Sequence, residues 1–213
     1  PDSVICGDVK KLDIDSLEPI NCFAYGFPCN DFSIVGEQKG INGKFGPLYS
    51  YGIKVINKFN PLFFVAENVS GLSSANSGES FKKILKELEK AGVNIISTGI
   101  GWHEARIPTI ATLVPRANFS FIPAKLRQEL SIPVVATNRI NTPEVAENIL
   151  ANNQADLVAL ARPLLADSEF VKKAMEKRAD EINTCIACNQ ACLDHIFSHK
   201  VASCLVNPRA GNE

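Results

Sequence analysis

Arginine is missing from the first 105 residues of this 213-residue chain; all seven lie at 106, 116, 127, 139, 162, 178 and 209, while the first half uses lysine alone. Such a shift in the choice of cation is what two stretches of different origin would show, and it leaves the first half few groups for phosphate binding or base reading. Net charge is missing as well. With 22 Lys and Arg against 23 Asp and Glu the chain carries −1, so no overall positive field marks a nucleic-acid binder, although a local site remains open. No apolar run approaches the roughly 18 residues of a membrane span, and no basic-then-apolar signal segment opens the chain. We therefore expect a cytoplasmic protein without a membrane partner. Repeats and low-complexity segments are lacking too. There is no initiator methionine, and a strand-like start at Pro1 suggests a piece of something longer.

What is present reads as globular: 46% hydrophobic and 21% charged residues, with a mean hydropathy of +0.03. At roughly 150 residues per domain the length predicts one to two domains. The seven cysteines are 6, 22, 29, 185, 188, 192 and 204, four of them within the last 29 residues. Clustering of this kind points to a metal site rather than a disulfide framework, because reduced thiols persist in the cytosol as ligands or nucleophiles.

The hydrophobic pattern alternates strand and helix. Short apolar runs at 21–27, 62–67, 93–97, 133–137 and 157–161 predict buried strands, and segments 46–58, 80–90, 123–130, 143–151 and 168–177 predict helices. Helix 80–90 places Phe81, Ile84, Leu85 and Leu88 on one face and stops at Gly92. Strands feeding helices imply parallel sheet. After Asp180 the alternation gives way to a cysteine-rich tail that reads as loop.

Two stretches carry chemistry. GFPCNDFS (Gly26 to Ser33) sets Cys29 directly after a proline at a strand end, and AENV (Ala66 to Val69) sets Glu67 at the end of the next strand. At the carboxyl edge of a sheet both could reach one ligand. Taken singly, a loop cysteine is usually a small packed hydrophobe and a strand-end glutamate is usually solvated. Together with Gly7-Asp8, GFPCNDFSIVGEQKG and AENVSGL they resemble the DNA (cytosine-5) methyltransferases over residues 6 to 95, with Asn30 where that family more often has Gln. The resemblance implies that the Cys29 thiolate adds to C6 of a flipped cytosine in double-stranded DNA and that Glu67 hydrogen-bonds N3. It also implies that Asp8 contacts S-adenosylmethionine. The family's Gly-rich loop, its Gln-x-Arg-x-Arg element and its DNA-reading domain have no counterpart here.

The second stretch is CIACNQAC (Cys185 to Cys192) followed by Cys204, a C-x2-C-x3-C-x11-C spacing. Four sulfurs so arranged suit a 4Fe–4S cluster, with zinc as the alternative. Upstream, GIGWHEARIPTIA, ATNRIN and ALARPLLAD each follow a predicted strand, where a β/α barrel carries its site. With RADEINTCIACNQACLDHIF and SCLVNPRA they resemble the NADPH-dependent 2,4-dienoyl-CoA reductases, flavin enzymes of the old yellow enzyme type, over residues 96 to 210. The resemblance implies His103 beside the substrate, Arg139 with the pair Ala161 and Arg162 around the FMN phosphate, and Cys185, Cys188, Cys192 and Cys204 as ligands of a 4Fe–4S cluster. Electrons then pass from NADPH through the cluster and FMN to a dienoyl-CoA thioester. The first strands of the barrel, with the family's catalytic tyrosine and much of the flavin pocket, and the downstream FAD and NADPH domains have no counterpart.

The two resemblances meet within LEKAGVNIISTG, between Glu87 and Thr98. Recombination at a matched helix-to-strand boundary, or a join of two gene fragments in assembly or cloning, would both produce this; the missing ends favour the second. We expect an α/β chain in three parts. These are a partial Rossmann-like methyltransferase sheet (1–95), the C-terminal half of a TIM-type FMN barrel (96–180) and a Cys-rich cluster-binding tail (181–213). Exposed sheet edges would invite association, and neither methyl transfer nor dienoyl reduction is expected of the chain alone. DNA methylation through Cys29 and Glu67, and a bare metal-binding fragment, are the competing readings.

Overall fold

A computed structural model describes residues 6–27, 48–67, 79–99 and 106–212. They fall into two compact units, Pro1–Asn94 and Ile95–Glu213. Cys29 and His103 lie outside the described residues.

In the first unit, β1 (Cys22–Gly26) and β2 (Phe63–Glu67) pair in parallel, with Cys22 opposite Phe63 and Gly26 opposite Glu67. Helices α1 (Tyr49–Phe59) and α2 (Glu79–Lys90) belong to the same unit. The helix expected over 46–58 thus begins three residues later and ends where Asn60 adopts a left-handed conformation (φ 45°). The stop expected at Gly92 is observed: φ is +100°, and Val93 N–H donates to Leu88 O at 3.1 Å, closing the last turn of α2. The core gathers Phe27, Tyr49, Ile84 and Leu88, with Tyr25, Ile53, Ala66 and Val93 packed against them. Period-two burial on both strands brings Tyr25 and Ala66 inward, and the 3.6-residue period of α2 brings Ile84 and Leu88.

Gly52 makes this packing possible. A β-carbon at that point of α1 would stand 2.1 Å from the Tyr25 ring, which stacks on Phe23 at 5.0 Å between centroids. Gly52→Ala is therefore expected to destabilise the unit by about 1–3 kcal/mol, although alanine is the better helix former. Urea unfolding would show it as a lower midpoint with an unchanged slope. Tyr25→Phe removes a buried hydroxyl that has no hydrogen-bond partner among the described residues, so it is expected to be neutral or stabilising in the same assay.

The second unit carries β3 (Ile96–Ser97), β4 (Val134–Ala136) and β5 (Leu157–Val158), parallel and in sequence order. Between them run α3 (Phe121–Glu129) and α4 (Pro143–Ala151); α5 (Arg162–Ala166) and α6 (Phe170–Met175) follow. Pro143 opens α4, as expected, with Thr142 Oγ1 accepting from Val145 N–H at 3.4 Å. The core here is Ala136, Ile140, Ile149 and Ala155. Arg127 of α3 grips Asp156 through Nε at 3.0 Å to both oxygens, and Oδ2 accepts from Val134 N–H at 2.9 Å, so one carboxylate ties α3 to the start of β4.

The tail departs from the all-loop expectation in one respect. Residues Leu193–Phe197 form a short helix, α7, which follows Cys192 directly. No helix among the described residues is long and apolar enough to cross a membrane.

Candidate functional site

Of the residues assigned to methyl transfer, the structure describes two. Glu67 closes β2 and is exposed; the parallel register sets it beside Gly26, where a β-carbon would lie 3.5 Å from Glu67 Oε2. Its carboxylate thus lies along the strand end that leads into the segment holding Cys29. Asp8 caps a single turn at Val9–Lys11: Oδ1 accepts from Lys10 N–H at 3.0 Å, and the residue is exposed.

In the second unit the functional residues stand after β3, β4 and β5. Thr98, buried at the end of β3, donates through Oγ1 to Val135 O at 2.8 Å, and Thr137 Oγ1 donates back to Thr98 O. The strand ends are thereby laced together. The chain after β4 then takes two left-handed residues in succession, Asn138 (φ 70°) and Arg139 (φ 55°). Non-glycine residues adopt this conformation at a cost, which is tolerated where surroundings fix it. Here Arg139 is buried, its Nε donates to Val114 O at 2.7 Å and its carbonyl accepts from Ala117 N–H at 2.8 Å. Burial lowers the pKa of its guanidinium, the Cys185 thiol acts against this and Arg116 adds to it, while the arginine remains a cation. Ala161 precedes α5 with φ −120° and ψ −72°, a kink that releases the chain from β5.

Cys185, Cys188, Cys192 and Cys204 all line one pocket that opens to solvent. Left-handed Ala187 (φ 57°) and Asn189 (φ 65°) bend the chain so that the first three cysteines face it. Cys204 arrives on the returning segment, fixed by Ser203 N–H donating to Ala191 O at 2.6 Å and by Asn207 Nδ2 donating to Leu165 O at 3.0 Å. Burial pushes the Cys185 thiol up; the Ala187 N–H opposes this, the nearby Cys204 and Cys192 add to it, and Arg162 opposes it. The sulfurs sense one another, yet no three of the described His, Cys, Asp or Glu side chains converge closely enough to hold one metal ion. A mononuclear zinc site needs every sulfur about 2.3 Å from a single centre. An iron–sulfur cluster instead binds each sulfur to its own iron.

The first four hydrogen bonds that seat this loop were not foreseen. Asn141, buried after β4, donates through Nδ2 to Cys185 O at 2.7 Å; Thr112 Oγ1 donates to Ile186 O at 2.7 Å. Asn189 donates through Nδ2 to Ile110 O at 2.8 Å and accepts from Arg162 Nη1 at 2.7 Å. The only sequence signal was the presence of an amide inside CNQAC, and nothing in the spacing said where it would reach. Arg162, assigned above to a flavin phosphate, turns one of its N–H groups into the cysteine pocket.

In the second unit the strands β4 and β5 lead to Arg139 and Arg162, and Arg162 lines the four-cysteine pocket. Residues 62–181, more than half of the chain, match the NADH:flavin oxidoreductase / NADH oxidase family, and the chain belongs to it. Residues 1–98 match the C-5 cytosine-specific DNA methylases, so similarity to two families meets in one chain, as a chimera would show. Both matches include residues 62–98. Among curated proteins, a metal reductase of Desulforamulus reducens is 48% identical over 126 residues, 59% of this chain and 19% of that protein. The type II methyltransferase M.BbvI of Brevibacillus brevis is 60% identical over 96 residues, 43% of this chain and 26% of that protein. The chain thus spans a fifth to a quarter of these relatives. A solved 2-naphthoyl-CoA reductase complex superposes with a TM-score of 0.70 at 27% identity, over 80% of this chain and 27% of its own. Its neighbours of known structure are FMN oxidoreductases of the TIM-barrel type; a Rossmann-like methyltransferase sheet is not among the folds they support.

Proposed function

We propose that residues 95–212 are the cluster-bearing, flavin-phosphate end of a reductase that acts on unsaturated acyl-CoA thioesters, and that 2,4-dienoyl-CoA with NADPH is the parent's reaction. Four cysteines and Arg162 lining one pocket carry this reading. Cys185, Cys188, Cys192 and Cys204 would hold a 4Fe–4S cluster, and Arg139, Ala161 and Arg162 the FMN phosphate, with His103 at the substrate. Bound there, the two groups supply single-electron transfer and hydride transfer. The chain's own part is to fix the sulfurs through Asn141, Thr112 and Asn189, and to present arginines suited to a dianion by their paired N–H donors.

Anaerobic loading of the purified chain with iron and sulfide tests the reading. A brown protein with broad absorption near 400 nm, bleached by dithionite, is the expected result (roughly four irons per chain). A colourless protein with one tightly bound zinc would replace it with the bare metal-binding reading. NADPH-driven turnover of a dienoyl-CoA by the iron- and flavin-loaded chain would support the substrate assignment directly. A single DNA read across codons 80 to 105 with long flanks shows whether both halves occur in one molecule.

The methylation reading is favoured by a different observation, the placement of Glu67 beside Gly26 ahead of Cys29. Incubation with 5-fluorocytosine duplex and S-adenosylmethionine would trap Cys29 covalently on DNA if the first unit were competent. No adduct is expected.

A further inference from the structure

We propose that Arg162, aimed by Asn189, is the counter-charge of the cysteine pocket and raises the reduction potential of the cluster held there. The inference rests on the cluster reading above. Arg162 is the one charged residue among the described residues that line the pocket; Leu165, Ile186, Ala187 and Leu205 make the rest of its wall largely apolar. Four thiolates around a cluster core leave a net negative charge, and each electron added makes it more negative. In an apolar wall such charge is costly unless a cation answers it. A fixed guanidinium stabilises the reduced state more than the oxidised one, which raises the potential.

Asn189 makes the cation fixed rather than incidental. Its Oδ1 accepts from Arg162 Nη1 at 2.7 Å while its Nδ2 donates to Ile110 O at 2.8 Å, so both ends of the amide are held. It also sits between Cys188 and Cys192, which places the hook for the arginine inside the loop that carries the ligands.

The test is a dithionite redox titration of the iron-loaded chain, followed by electron paramagnetic resonance of the one-electron reduced state. Arg162→Gln is expected to lower the midpoint potential with iron and sulfide content kept. Asn189→Ala is expected to move it the same way by less, because the cation remains but is no longer aimed. Lys172→Gln, an exposed charge removed from α6, should leave it in place. An unchanged potential in Arg162→Gln with full iron content overturns the proposal. If Arg162→Gln takes up no iron, Arg162→Lys decides: iron uptake there supports a requirement for charge, and its failure in a chain whose wild type loads normally overturns it. A wild-type chain that takes up no iron and sulfide defeats the cluster reading itself and this inference with it.

Discussion

Cys192→Ala is expected to abolish iron–sulfur loading, leaving a colourless chain whose melting curve in the metal-free state matches the wild type. The size of the effect follows from where Cys192 stands. It is the last residue before α7 and the third sulfur of the pocket, and the returning segment with Cys204 hangs from the neighbouring Ala191 carbonyl. Removing one of four thiolates leaves an iron without its protein ligand, and three-cysteine loading would be labile to chelators. Stability without metal should barely move, because Cys192 is only partly buried and the loop is seated by Asn141, Thr112 and Asn189 rather than by its thiols. Iron and acid-labile sulfide assays on the two proteins, loaded side by side, give the answer. Equal loading would show that the pocket does not depend on Cys192. Cys22→Ala, an exposed thiol in the other unit, is the matched control and should load fully.

Elements whose signal is local were legible in the sequence. Helix α2 announced itself by apolar spacing and by Gly92, and α4 by Pro143 at its first turn, because helix starts, stops and amphipathic faces are decided within a few residues. Strands were located but drawn too long: 93–97 shrinks to Ile96–Ser97 and 157–161 to Leu157–Val158. Strand length is set by the neighbour, and β4 offers only three residues to pair on both sides. Helix α5 was hidden inside ALARPLLAD, where Arg162-Pro163 at its first turn is compatible with a helix start but equally with a loop. The cysteine pocket was legible from spacing alone. The amides that seat it were not, because Asn141 and Asn189 find their partners 44 and 79 residues away, and no periodicity encodes a contact at that range.

Asp167→Ala is expected to cost the second unit about 3 kcal/mol, the largest loss predicted for any single change outside the cysteines. The carboxylate is buried and fully used. Oδ1 accepts from Glu169 N–H at 3.0 Å, and Oδ2 accepts from Lys173 Nζ at 2.7 Å and from Asn183 N–H at 2.9 Å. One side chain thereby joins the end of α5, the helix α6 and the strand of chain that enters the cysteine loop two residues before Cys185. Its removal leaves Lys173 with the Glu181 carbonyl at 3.1 Å but no carboxylate, and two backbone donors unsatisfied; Lys173 is partly exposed and can turn to water, which keeps the cost below that of a fully buried pair. Acid should reproduce the effect. Burial pushes the Asp167 carboxyl up, but Lys173 and the two N–H donors outweigh it and hold the group below the ordinary carboxylate range. A depressed pKa in the folded chain means that the stabilisation is complete above the unfolded value of about 3.9 and fades as pH falls through the folded one. The wild type should therefore lose stability below about pH 4 more steeply than Asp167→Asn, which keeps an acceptor but no longer titrates. Equal acid slopes for the two proteins in urea titrations would show that Asp167 is not the group that the second unit protonates as it unfolds.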